Sequence, residues 1–328
     1  MIKVKEKKVL LTGAFGIVGM EVLEWLIKRN YDIRIFDIET STNKEKSEKY
    51  KDRAEIMWGD IRNKKKVDEA VRDIDVIIHL AAIIPPLADK KPDLASEVNV
   101  GGVKNIIDAI HQLPNRIKPK LIYTSSVSIY GDRRTNPYIK KEDPPNPNPE
   151  DYYAQQKLEA ERLIQQTPLD WTIFRLTYIV SPHKLEMDPI MFEIPLDTKF
   201  EICHAEDVAL ALVNAIECEE VWGKTLLIAG GKKCRTSYKN YLKRMFDIFG
   251  IGFDGFPEEA FSHDKFHCAY METDTSQQLL KYQNHTIEEY YKEVEQAIGY
   301  RYYFYKVFSG IAKYYLLKKS EYYQELKT

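Results

Sequence analysis

The sequence predicts an α/β fold, in which a doubly wound parallel sheet is followed by a smaller, mainly helical C-terminal portion. Strand-like runs alternate with helical patterns up to about residue 180, and a glycine-rich turn follows the first run. Such alternation is typical of a parallel sheet with helices on both faces. Because it becomes irregular afterwards, we expect residues 1–180 to form the sheet and residues 181–328 a smaller portion, intertwined with the first rather than independent.

The predicted strands are short apolar runs bounded by turn residues. They cover residues 8–12, 33–36, 55–58, 76–80, 120–124 and 172–175. The proline-dense segment EDPPNPNPEDYY, residues 142–153, suits neither a helix nor a central strand. We therefore expect a surface loop there, leading into a helix at about Asp151.

The C-terminal portion has helical patterns near residues 205–217, 238–249 and 286–297. We expect it to lean over the carboxyl edge of the sheet, where open α/β folds bind their ligands. A substrate site lined by both portions follows from this placement.

Charge and cysteine content narrow the class of protein. The 328 residues carry 48 basic and 50 acidic side chains, a net charge of -2, which argues against a nucleic-acid binder and favours a small-molecule partner. The four cysteines form no CxxC pair, as suits a reducing compartment. The opening residues MIKVKEKKVLL lack the apolar core of a signal peptide, and no apolar run reaches the ~18 residues that span a bilayer. We expect a cytoplasmic protein.

The stretch VLLTGAFGIVG, residues 9–19, sets three glycines three residues apart behind an apolar run. In a tight strand-to-helix turn, Gly13 would let the chain reverse, Gly16 would let a diphosphate approach, and Gly19 would let helix and sheet pack closely. The helix N-terminus would then face the anion. A plain structural turn explains the same spacing, so other residues must decide between the two interpretations.

Asp37 ends the second predicted strand, which follows the glycine-rich turn and its helix. A carboxylate at this place can accept both hydroxyls of an adenosine ribose and would repel a 2′-phosphate, which favours NAD over NADP. The alternative is an ordinary turn residue. Together with the glycines, the spacing favours a dinucleotide site.

The segment YAQQK places Tyr153 and Lys157 on one face of a predicted helix. The motif alone is weak, because YxxxK occurs five times, beginning at Tyr153, Tyr302, Tyr314, Tyr315 and Tyr323. Only Tyr153 follows the proline-dense loop. It is also the nearest of the five to the segment YTSSVSIYG, which contains Ser126 and in which a fifth strand ends in hydroxyl groups.

Taken together, these motifs resemble the extended short-chain dehydrogenase/reductases, the group that contains nucleotide-sugar epimerases and dehydratases. The resemblance implies a Rossmann-type fold and extends almost continuously over residues 1–180, with a weaker echo in HAEDVALALVNAI. The matching segments are TGAFGIVG, Asp37, GDI, HLAA, NVGGVKNIIDA, SSVSIYG, YAQQK and FRLTYIVSP.

The resemblance also implies the residues that bind NAD. Asp60 and Ile61 would lie at the edge of the adenine, Ala81 and Ala82 would line the cofactor cleft, and Asn99 would hold a structural water or a backbone kink. Two alternatives stay open: Asp60 caps the helix that starts near residue 63, and the alanines belong to the core. The full implied set is Gly13, Phe15, Gly16, Ile17, Gly19, Asp37, Asp60, Ile61, Ala81, Ala82, Asn99, Tyr153 and Lys157.

The catalytic set that the resemblance implies is Ser126, Tyr153 and Lys157. Lys157 would bind the nicotinamide ribose, and its charge would lower the pKa of Tyr153, so that the phenolate can take a proton. Ser126 would hydrogen-bond the reacting oxygen, although the adjacent Ser125 is an alternative.

The expected activity is that of an NAD-dependent epimerase of a sugar or nucleotide sugar, in which a hydroxyl is oxidised and hydride returns to the other face. Dehydration is disfavoured, because Ser125, Ser126 and Val127 stand where sugar 4,6-dehydratases have Thr-Asp-Glu. About twenty residues separate Ser181 from EICHAEDVA, a short segment that leaves nucleotide recognition in doubt. A dehydrogenase or reductase of a small alcohol or ketone is the second interpretation, and a non-catalytic NAD-binding scaffold the third.

Two other segments lead to weaker predictions. HDKFHC, residues 263–268, spaces two histidines and a cysteine like metal ligands, yet no second cluster completes four donors, so no metal site is predicted. The tail from residue 300 onwards sets Phe304, Phe308, Ile311 and Tyr315 on one helical stripe. Packing on its own domain or on a second subunit is favoured over membrane contact, and a homodimer is expected.

Overall fold

The computed structural model describes residues 7–114, 118–185, 189–264 and 266–325 and has the predicted α/β fold. Its described strands are Lys8–Thr12 (β1), Asp32–Asp37 (β2), Glu55–Trp58 (β3), Val76–His79 (β4), Lys120–Ser126 (β5), Tyr138–Ile139 (β6), Trp171–Leu176 (β7), Tyr178–Val180 (β8), Lys199–His204 (β9), Lys224–Ile228 (β10), Arg235–Ser237 (β11) and Tyr270–Met271 (β12).

The described α-helices are Ile17–Lys28 (α1), Ser41–Ser47 (α2), Lys64–Ala70 (α3), Leu87–Lys90 (α4), Pro92–Ser96 (α5), Gly102–Gln112 (α6), Tyr152–Gln165 (α7), Ala205–Ala215 (α8), Tyr238–Ile248 (α9), Asp274–Leu280 (α10), Ile287–Ile298 (α11), Arg301–Val307 (α12), Ser309–Leu317 (α13) and Glu321–Glu325 (α14). A π-helical turn, Glu97–Gly101, leads into α6. No helix among these residues is both long enough and apolar enough to cross a membrane.

Seven strands form the main sheet, in the order β10-β7-β5-β4-β1-β2-β3, and every neighbouring pair is parallel. Both faces are covered, because alternate side chains of β1 enter different clusters: Val9 and Leu11 pack on the α1 and α8 side, and Leu10 packs on the α3 and α6 side. The carboxyl ends of all seven strands therefore meet at one edge.

All six predicted strands belong to this sheet, with ends within two residues of the predicted ones. The sequence pattern missed β10, which is five residues long and lies where the alternation is irregular. It also missed two small sheets, β11-β9-β8 and β12-β6. Strands of two or three residues are too short to show a period of two.

The proline-dense loop ends where expected. Asp151 is the N-cap of α7, and its carboxylate accepts a hydrogen bond of 2.9 Å from the backbone N–H of Ala154. This cap fixes the start of the helix that carries the predicted tyrosine and lysine.

The C-terminal residues build a second apolar cluster, which contains Phe192, Phe200, Tyr238, Phe246 and Tyr291. The chain also returns to the main sheet, where α8 packs on α1 and β10 pairs with β7. The division into residues 1–180 and 181–328 stays a prediction.

Candidate functional site

The glycine-rich turn joins β1 to α1 at the carboxyl edge of the sheet. Gly13 has a φ of +69°, and a Cβ added there would lie 2.7 Å from the backbone nitrogen of Ala81. A Cβ on Gly19 would lie 2.3 Å from the carbonyl oxygen of Gly13. Gly16, the N-cap of α1, meets only that same oxygen, at 3.4 Å. The protein's own packing thus requires Gly13 and Gly19, whereas a Cβ on Gly16 would make only one contact, at an ordinary van der Waals distance.

The other two predicted residues of the turn differ in burial. Phe15 is buried, and its ring centroid lies 5.6 Å from that of Trp58. Ile17 is the first residue of α1 and is exposed. Only the Ile17 side chain is therefore accessible to a ligand from solvent.

Asp37 ends β2 beside the turn, and both of its carboxylate oxygens are engaged. The backbone N–H of Phe15 donates to Oδ2 at 3.0 Å, and that of Ile38 donates to Oδ1 at 2.8 Å. Burial raises the pKa of Asp37, and these two hydrogen bonds oppose the rise. Asn43 Nδ2 also donates to Oδ1, at 3.4 Å. Since each carboxylate oxygen can accept two hydrogen bonds, Asp37 keeps one free acceptor position within the described structure, on Oδ2.

Asp60 and Ile61 follow β3. Arg62 donates to the Asp60 carboxylate from its backbone N–H at 2.9 Å and from Nη2 at 2.7 Å, and these bonds lower the pKa of Asp60. The N-cap of α3 is Asn63, so Asp60 does not cap that helix. Ile61 is buried against Gly102, where an added Cβ would lie 2.9 Å from its side chain.

Ala81 and Ala82 follow β4. Both are half-buried and lie outside the apolar core. The backbone N–H of Ala81 donates to Oγ1 of Thr12 at 3.2 Å. Asn99, buried in the π-helical turn, accepts from the N–H of Ile83 at 2.8 Å and donates to its carbonyl at 2.9 Å. Asn99 therefore holds the backbone that continues from the two alanines, in line with the expected backbone role.

Tyr153 lies in the first turn of α7, and its side chain is hydrogen-bonded to that of Ser126, the last residue of β5. The Ser126 Oγ also accepts from the backbone N–H of Ser128 at 3.1 Å. Ser125 is buried, and its Oγ has no hydrogen-bond partner within the described part of the chain. The geometry thus favours Ser126 over Ser125 as the partner of the tyrosine.

Lys157 lies one helical turn after Tyr153 and is 3% exposed. Its Nζ donates to the carbonyl of Thr124 at 2.7 Å and lies 5.7 Å from the ring centroid of Tyr153. Burial lowers the pKa of Lys157 to about 7, although Glu161 opposes the shift. The lysine is therefore close to half-protonated near neutral pH.

The other four YxxxK segments all begin after residue 300. Their lysines Lys306, Lys318 and Lys319 are exposed, and Lys327 lies outside the described residues. Among the described pairs, burial of the lysine distinguishes Tyr153–Lys157.

The pKa of Tyr153 moves opposite to the expected direction. Burial raises it, the charge of Asp151 raises it further, and the hydrogen bond with Ser126 opposes the rise. The predicted lowering of this pKa by Lys157 does not occur in the protein on its own, because burial removes the phenolate from water and Lys157 is not among the groups that shift the pKa.

A buried network behind the lysine was missed by sequence reasoning. Arg175 of β7 donates to both carboxylate oxygens of Glu161, at 3.0 and 2.7 Å, and to the hydroxyl of Tyr130 at 2.5 Å. Two signals were available: Arg175 interrupts the buried strand TIFRL, and Glu161 lies four residues after Lys157, on the same helix face. The network anchors the face of α7 that carries Lys157.

The HDKFHC segment does not assemble metal ligands in the described structure. His267 Nδ1 lies 2.8 Å from the Asp151 carboxylate, and burial raises the pKa of Cys268 to about 12.

A different group of metal-type ligands, His204, His285 and Glu293, does come together in the described part of the chain. His204 Nδ1 accepts from the backbone N–H of Glu206 at 3.2 Å, so its hydrogen is on Nε2, 3.1 Å from Glu293. His285 Nδ1 lies 2.7 Å from Asp207, and this hydrogen bond raises the pKa of His285. The arrangement pairs histidines with carboxylates and leaves His204 without a free nitrogen lone pair for a metal.

Residues 10–169 match the model of the 3-beta hydroxysteroid dehydrogenase/isomerase family. An N-acetyl-alpha-D-glucosaminyl-diphospho-ditrans,octacis-undecaprenol 4-epimerase of Escherichia coli O157:H7 is 33% identical over 178 residues, 52% of this chain and 48% of the relative. A decarboxylating sterol-4-alpha-carboxylate 3-dehydrogenase of Mus musculus is 26% identical over 212 residues, 62% of this chain and 55% of the relative. This chain thus spans about half the length of the curated relatives it matches.

The fold is shared with solved structures over a longer stretch. A UDP-glucuronic acid 4-epimerase from Bacillus cereus, solved in complex with UDP-glucuronic acid and NAD, has a TM-score of 0.70 at 20% identity. The match covers 88% of this chain and 99% of that one. At this identity the similarity shows a common fold.

Proposed function

We propose that this chain, which belongs to the extended short-chain dehydrogenase/reductases, is an NAD-dependent epimerase that acts on a sugar or nucleotide sugar. The observation that carries the proposal is the hydrogen-bonded pair of Ser126 and Tyr153 beside the buried Lys157. All three lie at the edge of the sheet that also carries the glycine-rich turn. A binding-only protein has no need for a phenol, a hydroxyl and an ammonium placed together.

The residues around the turn suit NAD. Gly16, the N-cap of α1, has no side chain that would keep a diphosphate away from the helix N-terminus, where backbone N–H groups favour an anion. Asp37 would accept a hydrogen bond from a hydroxyl of the adenosine ribose at its free position on Oδ2, and its charge would repel a 2′-phosphate. Asp60, Ile61, Ala81 and Ala82 would border the cofactor, with Asn99 fixing the backbone behind the alanines.

In this proposal Tyr153 holds and moves one proton. As the phenolate, its oxygen would take the proton of the substrate hydroxyl while that carbon is oxidised, and would return this proton after the keto group has presented its other face. Ser126 would donate a hydrogen bond to the same substrate oxygen. NAD, when bound in its oxidised form, supplies a positive charge and a hydride acceptor, and the acceptor is regenerated within each cycle.

Lys157 serves two purposes in this scheme. Its ammonium would bind the ribose hydroxyls of the cofactor, and its charge stabilises a phenolate on Tyr153. Because its pKa lies at about 7, the lysine changes charge near neutral pH. Glu161 shifts it towards the charged form.

The second candidate is a dehydrogenase or reductase of a small alcohol or ketone. The mouse relative is named as a dehydrogenase, and the short segment between residues 181 and 200 offers little chain to enclose a nucleotide. The E. coli and B. cereus proteins are named as 4-epimerases, one of a lipid-linked and one of a nucleotide-linked sugar. The epimerase remains our first proposal.

One experiment separates the two activities. The protein is incubated with a catalytic amount of NAD and a panel of nucleotide sugars, free sugars and one lipid-diphosphate sugar, while product is followed by NMR and reduced cofactor by absorbance. An epimerase gives product without net reduced NAD, because the cofactor is regenerated in each cycle. Reduced NAD that accumulates in proportion to product refutes the epimerase and supports the dehydrogenase.

Tyr153→Phe tests the role of the phenol. It removes only the ionisable oxygen, so we expect turnover to disappear while the affinity for NAD, measured by calorimetry, changes little. Tyr152→Phe is the matched control, since this neighbour is exposed on the same helix. Normal turnover by the Tyr153 variant would disprove the assignment, and loss of turnover in both variants would indicate damage to α7.

Cofactor preference tests the role of Asp37. The unmodified protein should bind NAD more tightly than NADP, and Asp37→Ala should narrow the difference, because the repulsion of a 2′-phosphate is lost. Asp32→Ala, at the exposed start of the same strand, is the control. Equal or tighter binding of NADP by the unmodified protein would contradict this role.

A further inference from the structure

The last helices carry an apolar surface that the other described residues leave exposed. Six side chains on α12, α13 and their junction are exposed, from 44% at Phe308 to 78% at Val307. We call this surface the C-terminal aromatic face; it comprises Tyr303, Phe304, Val307, Phe308, Ile311 and Tyr315. Exposed apolar groups on one contiguous face are typical of an interaction site.

The opposite side of the same helices is already used for packing. Tyr302, Tyr305 and Ala312 pack against the second apolar cluster, and Leu316 is buried within it. Ser320 Oγ donates to the carbonyl of Ala260 at 2.6 Å just beyond α13. The described part of these helices is thus apolar on both sides, and helices of this kind are normally buried.

The charge of the segment identifies its partner. Residues 300–320 contain five basic and no acidic side chains, although the whole chain carries -2, and the first acidic residues afterwards are Glu321 and Glu325 of α14. Lys318 and Lys319 are exposed directly after α13, and the Lys318 Nζ lies 4.7 Å from the ring centroid of the exposed Tyr314. Lys306, in contrast, lies over Tyr302 on the packed side. Two copies docked face to face would bring like charges together, whereas an anionic lipid surface would neutralise them.

We propose that the C-terminal aromatic face docks the protein on an anionic membrane surface. Aromatic side chains with flanking lysines are favoured where acyl chains meet headgroups. The helices α12 and α13, of 7 and 9 residues, would lie in the plane of the surface, because each is far shorter than the ~20 residues that cross a bilayer. The inference stands apart from the enzymatic proposal, and a homodimer formed through another surface is compatible with it.

Vesicle sedimentation with the full chain tests this docking. We expect binding to vesicles of phosphatidylglycerol and phosphatidylcholine, weaker binding at high salt, and little binding to phosphatidylcholine alone. Phe308→Ser with Ile311→Ser should weaken binding at least about tenfold. Ile84→Ser with Leu87→Ser, which are exposed to a similar degree, should leave it unchanged.

The charge contribution is tested separately. Lys318→Glu with Lys319→Glu should weaken binding to anionic vesicles about thirtyfold or more. Lys104→Glu with Lys141→Glu, which are exposed on other elements, should weaken it far less. Circular dichroism and thermal unfolding of every variant establish that the fold is intact.

Two results would overturn the proposal. One is an unmodified protein that does not sediment with anionic vesicles. The other is a dimer, measured by sedimentation velocity, that the Phe308→Ser and Ile311→Ser changes convert into monomers while vesicle binding persists. That second result would assign the aromatic face to another copy of the chain.

Discussion

Lys157→Met should stabilise the folded protein near neutral pH while abolishing turnover. The substitution keeps an unbranched side chain of similar length in the buried site beside Tyr123 but removes the charge. A charged group that is 3% exposed carries a desolvation cost that methionine does not. Stability and activity are therefore expected to change in opposite directions at this position.

The pKa of Lys157 sets the size of the effect. It falls from 10.5 to about 7 on folding, so between these values the unfolded chain binds a proton that the folded protein does not. Burial of Lys157 destabilises the protein fully when the pH is below the pKa of the folded state, and the effect disappears as the pH rises towards the pKa of the unfolded chain. It amounts to about 4 kcal/mol at pH 7 and about 2 kcal/mol at pH 9. The methionine variant also loses the hydrogen bond to Thr124, which cancels about 1–3 kcal/mol of the gain in stability at any pH.

The assay is thermal unfolding of both proteins at pH 7 and pH 9. The variant should be more stable by about 1–3 kcal/mol at pH 7, and the difference should fall by about 2 kcal/mol, or about 4 °C in Tm, by pH 9. Groups common to both proteins cancel in this difference. Lys104→Met, at an exposed site, should show no such dependence. A difference between variant and unmodified protein that is independent of pH would refute the reasoning.

Three other changes probe the frame of the site. Glu161→Gln should lower the free energy of unfolding by about 3–5 kcal/mol, because it leaves the Arg175 guanidinium buried without its carboxylate. The double variant Glu161→Leu with Arg175→Met should recover most of this loss, as measured by thermal unfolding. Equal losses in the single and double variants would contradict this. Gly19→Ala should weaken NAD binding at least about tenfold in calorimetry, because the turn must shift to admit a Cβ, whereas Gly310→Ala, which meets nothing within 4 Å, should not. His285→Ala removes the imidazole ring, whose hydrogen bond with Asp207 raises the pKa of His285 because it favours the protonated ring. The loss of stability should be largest below the ordinary histidine pKa of 6.5 and should shrink as the pH rises through the higher pKa of His285 in the folded protein. A loss of stability that grows as the pH rises would contradict this prediction.

Local patterns in the sequence were enough to predict the main architecture. Short apolar runs bounded by turn residues placed six of the seven strands of the parallel sheet, because these signals come from neighbouring residues. The glycine spacing predicted the turn after β1 in the same way. β10 was missed because its five residues, KTLLI, contain only three apolar side chains and lie where the alternation is irregular.

The assembly of the candidate site depended on contacts between distant residues. Nothing within YxxxK distinguishes Tyr153 from the other four tyrosines; the folded chain does so by burying Lys157 and bringing Ser126, from the end of β5, to the phenol. The direction of the Tyr153 pKa likewise follows from burial, which no local pattern reports. The helical spacing of Phe304, Phe308 and Ile311 could be seen in the sequence. Only tertiary packing decided that one side of these helices is covered by the second cluster and that the other side is exposed. Desolvation and exposure belong to the whole fold, since they depend on which distant segments exclude water from a side chain.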